Sequence, residues 1–154
     1  MEKLIHNLQP NPNAIYNGEI LMIFKVHHIG YAVPSLERAV KEFEVLGWNV
    51  SSEVTDDAER KVSIVFMTRG ESCIELVAPT ADDSPVKKML QKGSGAPYHI
   101  CYEVPQLEGA IEELKKNRFI LTKKPAPAPA IGGRRVAFLY GLTTGVLELV
   151  ETGI

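Results

Sequence analysis

The chain repeats itself. Residues 27–48 (HHIGYAVPSLERAVKEFEVLGW) and residues 98–119 (YHICYEVPQLEGAIEELKKNRF) share nine of 22 positions when set 71 residues apart. The shared positions include His28/His99, Tyr31/Tyr102, Pro34/Pro105, Glu37/Glu108 and Glu42/Glu113. A second correspondence follows each copy: residues 62–77 parallel residues 135–150, and Glu75 then matches Glu148. Amphipathic segments of any origin resemble one another, but a histidine, a proline and glutamates matched in order point to duplication. A duplicated unit of roughly 65 residues is marginal alone by its surface-to-volume ratio, and packing on its twin makes one domain with a site between them. That condition constrains the fold more tightly than composition does.

Each copy has the same local pattern. Residues 26–33 and 98–104 are rich in β-branched and aromatic side chains and read as strands, ended by Pro34 and Pro105. Leu36, Ala39, Val40, Phe43 and Leu46 then recur with helical spacing, as do Leu107, Ala110, Ile111 and Leu114. Ser35 suits the first helix as an N-cap and Gly47 as its stop, whereas Gln106 is a poorer cap for the second. Three strands follow in copy one, at 49–54, 62–68 and 72–78, and three in copy two, at 119–123, 135–140 and 146–151. Ser84 and Pro85 open a short helix in the connecting segment 84–92, and residues 125–130 (PAPAPA) read as a polyproline-like arm. The expectation is an α+β fold of two tandem βαβββ modules, residues 25–80 and 97–151. They form a single domain, 25–154, behind an N-terminal tail, 1–24.

Composition then removes function classes. Seventeen Lys and Arg against 19 Asp and Glu leave a net charge of −2, so no basic footprint for nucleic acid exists. No apolar run approaches the ~18 residues of a membrane span. The chain starts without a basic segment leading into an apolar one, so no signal peptide is expected. Its two cysteines, Cys73 and Cys101, form no C-x-x-C pair and no disulfide framework, which fits a cytoplasmic protein.

The residues with chemistry come in matched pairs. Strand alternation puts His28, Gly30 and Ala32 on one face and Ile29, Tyr31 and Val33 on the other, with His99 placed like His28 in copy two. The bulky faces are expected under the helices, and the histidine faces opposite them. By the same alternation His27 turns to the helix side. Glu75 lies between Ile74 and Leu76, and Glu148 between Leu147 and Leu149. A carboxylate in so apolar a strand needs a charge partner or a metal. Two copies curled together would bring His28, Glu75, His99 and Glu148 to one point, and imidazole with carboxylate suits a divalent Co, Zn, Ni or Mn ion.

On these residues and on four stretches, HHIGYAVPSLERAV, GESCIELVAPTADDSPVKKML, YHICYEVPQLEGAIEEL and GGRRVAFLYGLTTGVLELVE, the chain resembles the vicinal oxygen chelate (glyoxalase/bleomycin resistance/dioxygenase) superfamily. Within it the methylmalonyl-CoA epimerase family is the nearest likeness. The resemblance implies a curved mixed sheet around one divalent metal held by His28, Glu75, His99 and Glu148. It implies a homodimer and an acyl-CoA or other thioester substrate. It further implies epimerisation through a metal-stabilised enolate, with Glu148 preferred as base and Glu75 as its pseudo-symmetric counterpart. Some epimerases carry a separate glutamate where this chain has Ser63. For the CoA phosphates the candidates are Lys87, Lys88, Lys123, Lys124, Arg134 and Arg135. Glyoxalase I (lactoylglutathione lyase) uses the same four-ligand set and is the main alternative. Extradiol dioxygenases need only His28, His99 and Glu148. Non-catalytic resistance proteins lack the ligands.

Overall fold

The structure is a computed structural model, and it describes residues 15–16, 19–20, 25–90 and 93–152. Residues Ile15–Tyr16 (β1) and Glu19–Ile20 (β2) pair antiparallel as a separate ladder. The rest of the expected tail, 1–24, lies outside the described residues. The first module runs β3 (Lys25–Ala32), α1 (Leu36–Val45), β4 (Asn49–Val50), β5 (Thr55–Asp57), β6 (Val62–Arg69) and β7 (Ser72–Pro79). The second runs β8 (Ala96–Val104), α2 (Leu107–Lys116), β9 (Ile120–Ala128), β10 (Arg134–Gly141) and β11 (Gly145–Glu151).

These strands make one mixed sheet in the order β4-β6-β7-β3-β8-β11-β10-β9, with β5 also on β6. The two modules join at the centre, where β3 and β8 run antiparallel. The last strand of each module lies parallel to its first, β7 beside β3 and β11 beside β8. The order therefore reads the same outward from the β3–β8 seam in either direction, as a duplication requires. Among the described residues no helix is long and apolar enough to cross a membrane.

Each helix covers the outer strands of its own module: α1 lies over β4, β6 and β7, and α2 over β9, β10 and β11. Ala39 packs with Val33, Val65, Met67, Ile74 and Leu76, and Leu107, Ala110 and Ile111 pack with Val104, Leu139 and Leu149. The Ser35 hydroxyl accepts the Arg38 N–H as the N-cap of α1, whereas Gln106 makes no side-chain cap. Gly47 ends α1 at φ +85°, a conformation glycine adopts freely.

Four local expectations are corrected. Of the strand expected at 49–54 only Asn49–Val50 (β4) forms, and β5 begins beyond it at Thr55; between them the Ser52 hydroxyl accepts the Phe66 N–H in place of a ladder bond. The arm at 125–130 is mostly strand: β9 continues to Ala128, with Pro127 opposite Arg135, and only Pro129–Ile131 forms a 3₁₀ turn. As the edge strand, β9 can carry prolines that donate no ladder hydrogen bond. The connecting helix shrinks to a 3₁₀ turn, Lys87–Leu90, and the Ser84 hydroxyl is buried without a hydrogen-bond partner instead of capping it. Finally, Ile29 and Ile100, expected under the helices, face each other across the β3–β8 seam and are 39% and 40% exposed. The helices stand over the outer strands and leave this seam uncovered.

Core and surface leucines should separate cleanly in stability. Leu139 is fully buried and Leu142 is 90% exposed. Leu139→Ala is expected to lower the unfolding free energy by about 2–5 kcal/mol, and Leu142→Ala to change it by under about 0.5 kcal/mol, read from urea unfolding midpoints.

Candidate metal centre

The ladder registers assemble the site as two rows across the sheet. In one, Phe66 (β6) is opposite Glu75 (β7), Glu75 opposite Gly30 (β3), and Gly30 opposite His99 (β8). In the other, Phe138 (β10) is opposite Glu148 (β11), Glu148 opposite Cys101 (β8), and Cys101 opposite His28 (β3). Each row sets a glutamate and a histidine on either side of a small residue, and the two rows are copies of one another.

The four ionisable groups meet where the rows face. His28 Nε2 is 3.3 Å from Glu75 Oε2 and 3.2 Å from Glu148 Oε2. His99 Nε2 is 3.5 Å and 3.2 Å from the same two oxygens, and the two Nε2 atoms are 3.1 Å apart. All four residues are buried. The phenyl edges wall them in, Phe66 5.2 Å from the His28 ring and Phe138 5.8 Å from that of His99. The His99 ring lies over Gly30 so closely that a Cβ there would stand 2.0 Å from His99 Cε1.

Electrostatics ties the cluster together. Burial alone would lower the His28 pKa, but the Glu148 and Glu75 carboxylates outweigh it and raise it to about 9. Burial would raise Glu148, yet the two imidazoles hold it well below the usual carboxylate range. Burial, and then Glu148, push the Cys101 thiol up.

The donor set fits a divalent cation. An ion ~2.1 Å from each donor places neighbouring donors ~3.0–3.4 Å apart, whether the arrangement is octahedral or tetrahedral. The histidine–histidine and histidine–glutamate donor separations here are 3.1–3.5 Å, close to that spacing. Glu148 Oε2 is also buried without a hydrogen-bond partner, although both Nε2 atoms stand 3.2 Å away. An acceptor so placed is satisfied by a cation.

Above the cluster opens a cavity of about 490 Å3. Glu75 and Glu148 line it, while His28 and His99 lie beneath. Its apolar wall includes Val62, Ile64, Val77, Phe138 and Val146, and Ser63 is not part of it. The basic groups at the cavity are Arg60, Lys61, Lys123 and Lys124. Of the six cations read from sequence, only Lys123 and Lys124 line it. Lys87 pairs with Asp82, and Lys88 is exposed on the connecting turn. Arg134 bonds Glu103 and the Glu151 carbonyl, and Arg135 pairs with Glu108 and Glu151.

Two residues of the site escaped the sequence because β-bulges undo strand alternation. Between Val26 and His28 the β3 strand advances two residues while β8 advances one, so His27 turns to the site face beside His28. Between Gly30 and Tyr31 the excess is on β8, at Tyr98, the copy of His27. Tyr98 lines the cavity, its ring 4.5 Å from that of His99. No sequence signal marks either bulge.

Residues 27–138 match the Glyoxalase/Bleomycin resistance protein/Dioxygenase superfamily. The chain belongs to that superfamily. Among its relatives, human mitochondrial methylmalonyl-CoA epimerase is 34% identical over 80% of this chain and 70% of its own. The mouse enzyme is 37% identical over 75% of this chain, which spans 65% of that protein. The ethylmalonyl-CoA/methylmalonyl-CoA epimerase of Cereibacter sphaeroides is 32% identical over 77% and 90%. Among solved structures, a hypothetical protein of Bacillus halodurans superposes with a TM-score of 0.76 at 30% identity, covering 85% of this chain and 96% of that one. Streptomyces coelicolor methylmalonyl-CoA epimerase, in complex with 2-nitronate-propionyl-CoA, superposes with a TM-score of 0.72 over 87% and 100%; at 22% identity this is a likeness of fold. The expected superfamily and its α+β, glyoxalase-like fold are thus found.

Gly30 should be indispensable to the cluster. Gly30→Ala is expected to push the His99 ring away and weaken Zn or Co retention at least tenfold, measured by competition with a chromophoric chelator.

Proposed function

We propose that this chain is a divalent-metal-dependent isomerase that epimerises methylmalonyl-CoA or a closely similar acyl-CoA. One observation carries the reading: two glutamates from matched strands, Glu75 and Glu148, border one cavity from opposite sides of a buried histidine pair. Epimerisation must take a proton from one face of a carbon and return it to the other. Two carboxylates related by a pseudo-twofold axis suit that requirement. The relatives named as epimerases of methylmalonyl-CoA support that substrate class.

His28, Glu75, His99 and Glu148 would hold the ion. When bound, it supplies positive charge where negative charge develops on the substrate thioester oxygen. Glu148 takes the proton next to the thioester carbonyl, and Glu75 faces the opposite side of the same carbon. The apolar wall of Val62, Ile64, Val77 and Val146 excludes water and strengthens each charge interaction inside. Lys123 and Lys124 make no ion pair among the described residues and stand free to meet CoA phosphates. Arg60 is engaged by Asp57 and the Pro127 carbonyl, and Lys61 by Asp83.

The decisive experiment gives metal-loaded protein one epimer of methylmalonyl-CoA in D₂O. Loss of that epimer with deuterium at the α-carbon is expected. No exchange, together with turnover of the methylglyoxal–glutathione adduct, would replace this reading with lactoylglutathione lyase. Glu148→Gln should lower kcat by about 10²–10⁴-fold, with bound metal assayed alongside. Reversing charge in a Lys123→Glu, Lys124→Glu double variant should raise KM for the CoA ester with a much smaller change in kcat.

A further inference from the structure

We infer that His27 is a positioning residue for the metal ligand His28, holding its imidazole in the tautomer that leaves Nε2 free to ligate. This rests on the metal reading above and adds a residue to it. The bulge in β3 brings His27 Nδ1 to 2.7 Å from His28 Nδ1, with the rings edge to face and 5.0 Å apart. A neutral imidazole carries one N–H and one lone pair. For His28 Nε2 to bind a cation, its hydrogen must sit on Nδ1, where an acceptor has to receive it. His27 Nδ1 is that acceptor.

The anchoring of His27 allows this. Arg134 bonds the Glu151 carbonyl at 2.8 Å and Glu103 at 2.9 Å, and reaches His27 Nε2 only at 3.4 Å. With the hydrogen on His28 Nδ1, His27 accepts it at Nδ1 and carries its own hydrogen on Nε2, which keeps the 2.7 Å bond and gives up only the long Arg134 contact. The second ligand has no such support: His99 Nδ1 is buried without a hydrogen-bond partner, and its neighbour from the matching bulge is Tyr98. The two pseudo-equivalent histidines are therefore held differently.

The test compares wild type, His27→Phe and His27→Asn. Phenylalanine keeps a ring but offers no acceptor. The Asn Oδ1 stands where His27 Nδ1 does in the side chain and accepts a hydrogen bond. Zn and Co affinities are measured by chelator competition, with the Co absorption spectrum and the metal-free unfolding midpoint as further readouts. His27→Phe should weaken metal binding about 10–100-fold and alter the Co spectrum. His27→Asn should bind within a few-fold of wild type. His27→Leu, which also lacks an acceptor, replaces the Phe variant if that one does not fold. Wild-type affinity in the acceptor-less variant, or an Asn variant as weak as it, overturns the role of His27 and leaves the metal reading standing. A wild-type chain that retains neither ion overturns the metal reading itself, and the role of His27 with it.

Discussion

Two imidazoles and two carboxylates share one buried point at the middle of the sheet, and the rest of the structure is arranged to make that tolerable. A buried carboxylate costs several kcal/mol unless something compensates its charge. Here Glu75 and Glu148 compensate each other's histidines as well as their own. The condition reaches outward along the ladders. Glu75 and His99 come within reach because only Gly30 separates them in register, and Glu148 and His28 because only Cys101 does. A larger side chain at Gly30 would occupy the volume the His99 ring fills. The choice of a parallel β7 beside β3, and β11 beside β8, is what delivers each glutamate to the row of a histidine from the other module.

Much of this was legible in the sequence, and for a physical reason. A duplication fixes relative positions twice, so a residue type that recurs at the same offset in both copies reports a shared environment. That is why the strands, both helices and the His28–Glu75–His99–Glu148 set could be read without coordinates. The misses have equally definite causes. Alternation assigns faces only while the ladder keeps register, and one extra residue reverses it. His27 and Tyr98 both sit at such slips. The Pro-rich segment looked like a free arm because its composition hides that it forms an edge strand, where proline is harmless. Arg134 and Arg135 looked available for phosphate because charge in a sequence says nothing about partners, and theirs are Glu103, Glu108 and Glu151. Lys61 lies across the cavity in the other module, too far along the chain for local reading to group it with Lys123 and Lys124.

The duplication is close but not complete, and its departures fall at the centre. Gly30 is matched by Cys101, and His27 by Tyr98. Gly30 lets the His99 ring lie directly on the backbone, whereas beside His28 the matched position holds a buried thiol. His28 gains a hydrogen-bonding neighbour at Nδ1, while His99 gains an aromatic edge. A fully symmetric pair of modules would give the two glutamates the same surroundings and hence the same proton affinity. Proton transfer across the two faces of one carbon needs, at any instant, one carboxylate able to accept and a second group able to donate. Under the proposed chemistry, symmetry supplies the two opposed positions, and the unequal support beneath His28 and His99 is what can set the two carboxylates apart.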